Sequence, residues 1–108
     1  MHLDPPAFEY VVEPLPPGRL GRRWRWELWH GARLVAGGWH HGERRALLAL
    51  RTRASRAAHE LAGVRALRPE RVALDRPLLR GATVRLVSGP VECVLMPRAL
   101  EAPAARAA

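Results

Sequence analysis

His40, His41 and His59, with Glu43, Glu60 and Cys93, supply the nitrogen, oxygen and sulfur donors that a metal ion takes. Their spacing matches no zinc signature. There is no second cysteine, hence no C-x-x-C, and there is no H-E-x-x-H helix. The pair His40-His41 falls where a strand gives way to a helix, a place where polar residues are ordinary. Cys93 would need a lowered pKa and a partner base to act as a nucleophile. It alternates with Val91 and Leu95, which puts it on a core-facing side and predicts a buried, inert thiol. Ser55 and Ser88 have no base or orienting acid at a telling distance, and no glycine-rich phosphate loop is present. Neither catalysis, nor a metal, nor a cofactor is expected.

The remaining chemistry is cationic and aromatic. Residues 22–29 read RRWRWELW, so three of the four tryptophans lie within six residues, interleaved with arginine. Arginine and tryptophan can grip phosphates and stack on bases. The formal net charge of +8 favours salt-sensitive attraction to polyanions. All 18 basic residues are arginine, and lysine, isoleucine, asparagine and glutamine are absent. The arginine excess therefore reads as a genomic GC bias more than a choice of guanidinium over ammonium. The charge acts whatever its origin, but it carries no specificity.

The elements decide which of these side chains can meet. A chain of 108 residues, 48% hydrophobic, makes one domain with a modest core. FEYVVE, residues 8–13, predicts a strand. PLPPGRLG, residues 14–21, with its prolines and glycines, continues neither strand nor helix. RRWRWELWH and RLVAGGWH flank Gly31-Ala32, which predicts a two-residue hairpin with glycine first. In the simplest register His30 faces Arg33, Leu28 faces Val35, Trp26 faces Gly37 and Trp24 faces Trp39. One side of the hairpin then carries Trp24, Trp26, Leu28, Val35 and Trp39. The other carries Arg25, Glu27, Trp29, Leu34 and Ala36.

Residues Glu43 to about Ala62 hold no Gly or Pro and are rich in Ala, Leu and Arg, which predicts a helix. Leu47, Leu50, Ala54, Ala57, Ala58 and Leu61 form its apolar face. Ala54, Ala58 and Ala62 make a small-residue row that would let it sit close to a sheet. Gly63 can cap the helix, or the helix can run to Leu67 before Pro69. Residues 69–81 form a connector whose Val72, Leu74, Leu78 and Leu79 pack back on the core. Residues 83–96 predict a second hairpin, with a loop lengthened because Pro90 is awkward in a two-residue turn.

The expected fold is α+β: a small antiparallel sheet, in the order β-β-β-α-β-β, packed on one face by a single long helix. The domain spans residues 7–98, with disordered tails at 1–6 and 99–108. No apolar run is long enough for a membrane span, and the N-terminus has no signal-peptide pattern, so a cytoplasmic location is expected.

Two surfaces can then act. The helix arginines, Arg45 and Arg56 among them, spread around the solvent side instead of forming one stripe. With the helix over the Trp24 and Trp26 side, the opposite sheet face shows Arg25, Glu27, Trp29, Leu34, Ala36, Arg85, Val87, Val94 and Met96. Trp29 with Arg25 and Arg85 could stack on bases and hold phosphates, although Glu27 stands between them.

The stretch RWRWELWHGARLVAGGWHHGERRALLAL resembles the strand–hairpin–helix core of AP2-like, arm-type DNA-binding domains of integrases, and also YegP-like small domains. Trp24, Trp26, Gly31, Gly38, Trp39, Glu43 and Ala46 carry the match, which covers residues 22–50. His40, His41 and Gly42 stand where those domains have a lysine- or threonine-bearing step, and the C-terminal hairpin lies outside the pattern. The resemblance implies a sheet-and-helix fold and DNA binding.

The leading expectation is a small non-enzymatic basic binding module, weakly associating with DNA or RNA or accessory to a nucleic-acid machine. The contact residues would be Arg25, Trp29, Arg85, Arg45 and Arg56. The alternative is a module that binds another protein or a second copy through the outer sheet face around Trp29. No membrane or small-molecule partner is expected.

Overall fold

The computed structural model describes residues 4–19, 21–65 and 72–99. The strands are β1 (Ala7–Pro14), β2 (Trp24–His30) and β3 (Arg33–His40). Helix α1 (Glu43–Ala62) follows, then β4 (Ala73–Leu74), β5 (Val84–Ser88) and β6 (Val91–Pro97). They form one sheet in the order β3-β2-β1-β6-β5-β4, with α1 on one face. The α+β class is as expected, but the sheet is mixed. The outer pairs are antiparallel, while β1 and β6 run parallel at the centre. α1 carries the chain from the β1–β3 meander to the β4–β6 meander, and the two meanders then join through their first and last strands.

Alternation sorts the side chains. Phe8, Tyr10 and Val12 of β1, Trp26 and Leu28 of β2, Val84 and Leu86 of β5, and Val91, Cys93 and Leu95 of β6 point at the helix. The helix meets them with Ala46, Leu50, Ala54, Ala57 and Ala58. Its buried stripe is rotated from the expected one. Ala46, Ser55 and His59 are buried, whereas Leu61 is 53% exposed and Ala62 lies outside. Small residues at the contact let α1 sit close over the bulky strands.

α1 stops at Gly63, which adopts φ 69°. Its N–H donates to the Glu60 carbonyl, and the Val64 N–H to that of His59. This is a Schellman closure, and it requires a residue at ease in the left-handed region. The expected extension to Leu67 is not made: Val64 and Arg65 are not helical, and residues 66–71 lie outside the described residues.

The hairpin loop expected around Pro90 is not lengthened. Ser88 pairs directly with Val91, leaving Gly89 and Pro90 as a two-residue turn. Gly89 takes φ 60°. Proline, fixed near φ of about −65°, suits the second position of a II′ turn. Gly31-Ala32 makes the same kind of turn, with Gly31 at φ 62°.

In the connector, Val72 is buried and Leu74 and Leu78 pack against the core, but Leu79 is 61% exposed. The Tyr10 hydroxyl anchors this loop by donating to the Ala82 carbonyl at 2.5 Å, with the Leu79 carbonyl at 3.2 Å. At the N-terminus the Pro6 carbonyl accepts the Val94 N–H at 2.9 Å, extending the β1–β6 ladder. Residues 1–3 and 100–108, most of the stretches expected as tails, lie outside the described residues.

Candidate interaction surface

The β2–β3 register begins at the turn as expected, with His30 opposite Arg33. It then slips. Trp29 pairs with Leu34 and Leu28 with Ala36, so Val35 is an extra residue, a β-bulge. Beyond it, Trp26 faces Gly38, Arg25 faces Trp39 and Trp24 faces His40. Residues directly opposite share a face, so the slip turns Trp39 outward with Arg25 and brings Ala36 inward beside Leu28. The expected Trp24–Trp39 pair does not form.

Volume explains the slip. Trp24 and Trp26 already occupy the helix-covered side of β2, and a third indole there would crowd α1, which starts only three residues after His40. The bulge puts Gly38 and Ala36 on that side instead. Trp26 lies so close over Gly38 that a Cβ there would stand 3.1 Å from its Nε1. An aromatic does cover a glycine, one position later than the simple register places it.

The outer face is an ionic lattice. Arg25 pairs with Glu13 and lies 3.5 Å from Glu27. The Trp29 Nε1–H donates to Glu27 at 3.2 Å. Arg98 pairs with Glu9 at 3.2 Å, donates to the Gly31 carbonyl at 2.9 Å and sits 4.1 Å over the Trp29 ring. Arg85 pairs with Glu92 at 3.0 Å. The expected contact residues of this face thus have intramolecular partners, and the open face of Trp29 is covered by a guanidinium. They are also apart: β2 and β5 are three strands distant, about 14 Å. Arg45 and Arg56 are exposed on α1, in the layer behind the sheet. The expected set does not converge on one surface.

Trp39 is the exposed tryptophan, at 47%. Arg23 stands 5.5 Å over its ring and His41 meets it edge-on at 5.3 Å. Leu34, 48% exposed, is the other exposed large apolar side chain on β3. β3 ends the sheet, so one side of its backbone has no partner strand among the described residues. The opposite edge differs. β4 is two residues long, and Asp75 closes it by accepting the Arg85 N–H at 2.8 Å while its own N–H donates to the Arg85 carbonyl at 3.0 Å. That bond from the Arg85 N–H holds the Asp75 carboxyl below its ordinary pKa.

The expected chemical residues occupy the interior. Cys93 is fully buried, and burial, with the Glu92 charge, pushes its thiol up to about 12, far from a nucleophilic thiolate. His59 is buried with Nδ1 2.6 Å from the Ser55 carbonyl, so Nδ1 carries the proton and donates. Its Nε2 and the Ser88 hydroxyl have no partner among the described residues. No three His, Cys, Asp or Glu side chains gather as a metal site among the described residues. A groove of about 610 Å³ runs between the first half of α1 and the 74–79 loop, with Leu47, Leu48, Leu74, Leu78 and Leu79 on its walls. The sequence reading missed it because the loop's leucines carry core-like spacing and only the path of the chain holds them off the helix.

No helix among the described residues is long and apolar enough to cross a membrane. No protein-family model, no curated protein and no solved structure matches this chain.

Proposed function

We propose that this protein is a non-enzymatic binding module that captures an extended segment of a partner protein by adding it as a strand to the β3 edge. The observation that carries the reading is the open edge of β3 with Trp39 and Leu34 half exposed on it. An unpaired strand edge presents a row of N–H and C=O groups, and a peptide strand satisfies them while pockets beside it read its side chains. The bulge at Val35 twists the start of the strand, so the regular run for pairing is Ala36–His40. Within it, Gly37-Gly38 offers bare backbone for close approach, and Trp39 supplies the aromatic anchor common in interfaces.

Selection from a displayed random peptide library tests this. Synthetic versions of the enriched peptides should slow hydrogen exchange of amides in 36–40. Binding should fall at least tenfold in Trp39→Ser, whose half-exposed side chain can be replaced without unfolding the domain. Peptides that protect only the α1 groove would refute the reading.

Nucleic acid is the second reading, favoured by Arg23 over the exposed Trp39 and by the net charge of +8. Bases would stack on Trp39 while Arg22 and Arg23 held phosphates. The resemblance of residues 22–50 to arm-type DNA-binding domains points the same way. Labelled oligo(dT) and oligo(rU) separate the two readings. Binding that requires Trp39 and Arg23 and weakens steeply from 20 to 200 mM salt would establish the nucleic-acid reading over the peptide one.

A further inference from the structure

We infer that the segment captured on β3 is acidic, with carboxylates flanking a short apolar run. This rests on the strand-addition reading and adds the chemistry of the partner to it. Residues 21–42, which build the β2–β3 hairpin and its flanks, hold four arginines and three histidines against one acid, Glu27. Glu27 is already engaged by Arg25 and by the Trp29 indole N–H. The two acids of β1 that face β2, Glu13 and Glu9, are paired with Arg25 and Arg98. The one carboxylate of the hairpin and those of β1 are therefore engaged on the inner columns of the sheet.

The cations left over stand at the two ends of the edge strand. Arg23 stands over Trp39 at one end, with His41 against the same ring and the exposed Arg22 next to Arg23 in the chain. Arg33 is exposed at the other end, roughly 23 Å away along the strand. None of these three arginines has a carboxylate partner among the described residues. A segment paired to Ala36–His40 and continued past the bulge would run from Trp39 and Arg23 at one end to Leu34 and Arg33 at the other. Carboxylates at both ends suit this field, because a guanidinium can donate two parallel hydrogen bonds to one carboxylate. A cationic segment, or a second copy of this chain with its own net charge of +8, would be repelled.

The charge rule and the strand-addition reading can fail separately. The displayed library is selected in parallel on the wild-type protein and on Arg23→Glu/Arg33→Glu. Arg33 is exposed and Arg23 half-buried, and circular dichroism confirms folding of the variant. The wild type should enrich peptides with Asp or Glu at both ends, and their synthetic versions should bind about three- to tenfold more weakly at 500 than at 50 mM salt. The double reversal should shift the enriched set towards Lys and Arg. Neutral or basic peptides that still protect the amides of 36–40 in the wild type would overturn the charge rule and leave strand addition standing. Enriched peptides that protect no β3 amide would overturn both.

Discussion

Gly38→Ala probes the bulged register through the one contact that depends on it most. An alanine Cβ would lie 3.1 Å from Trp26 Nε1, 3.4 Å from its Cε2 and 3.5 Å from its Cζ2. Trp26 is 5% exposed and wedged between β3 and α1, so it cannot swing aside. Overpacking of this kind costs about 1–3 kcal/mol. Against that, alanine restricts the unfolded chain and returns about 0.4–1 kcal/mol. The net expectation is a loss of about 1–2 kcal/mol, and each kcal/mol lowers the melting temperature by about 4–8 °C in a domain of this size. Trp26→Phe removes the indole atoms that the new methyl would strike. In that background Gly38→Ala should be neutral or slightly stabilising, giving a coupling of about 1–2 kcal/mol. Urea unfolding followed by circular dichroism on the four proteins of the cycle measures it. Additivity within about 0.5 kcal/mol would refute the placement of Trp26 over Gly38, because independent sites add to that accuracy.

Three further perturbations test other parts of the structure. Tyr10→Phe removes the tie to the Ala82 carbonyl and should cost about 1 kcal/mol, with faster hydrogen exchange in the 79–82 loop as the local sign. Gly63→Ala forces a side chain into φ 69° at the end of α1 and should cost about 1–2 kcal/mol in thermal unfolding. Cys93 has a folded pKa raised from 9.0 to about 12, so between those values the unfolded chain loses a proton that the folded chain keeps. Its contribution is constant below about pH 9, and above it stability should fall by up to about 1.4 kcal/mol per pH unit. Tyr10, raised from 10.0 by burial, adds to the same alkaline loss. Cys93→Ala should therefore show a shallower decline from pH 9 to 11 in urea midpoints, and a slope parallel to the wild type would reject the buried thiol as its source.

What was legible in the sequence was local. The α1 span, the Gly31-Ala32 turn, the inward set Val84, Leu86, Val91, Cys93 and Leu95, and the outward set Arg25, Glu27 and Trp29 all follow from periodicity and turn chemistry. The misses are long-range. The parallel β1–β6 pairing joins segments more than eighty residues apart, and no hairpin signal announces it. Arg98 lies beyond the last strand, yet it reaches back to Glu9, Gly31 and Trp29, so the cover over Trp29 could not be read from the hairpin alone. The bulge is the decisive case. Period-2 alternation from the turn assigns Trp39 to the core, and it errs by one residue because it counts faces without counting volume. Two indoles and a helix leave room on the inner side for glycine and alanine but not for a third indole. The extra residue at Val35 accommodates that shortage and, in doing so, carries Trp39 to the edge. The placement of the exposed anchor is thus a packing consequence of the RWRW strand beside it: Trp24 and Trp26 fill the interior, and Trp39 is displaced to the surface on which a partner can use it.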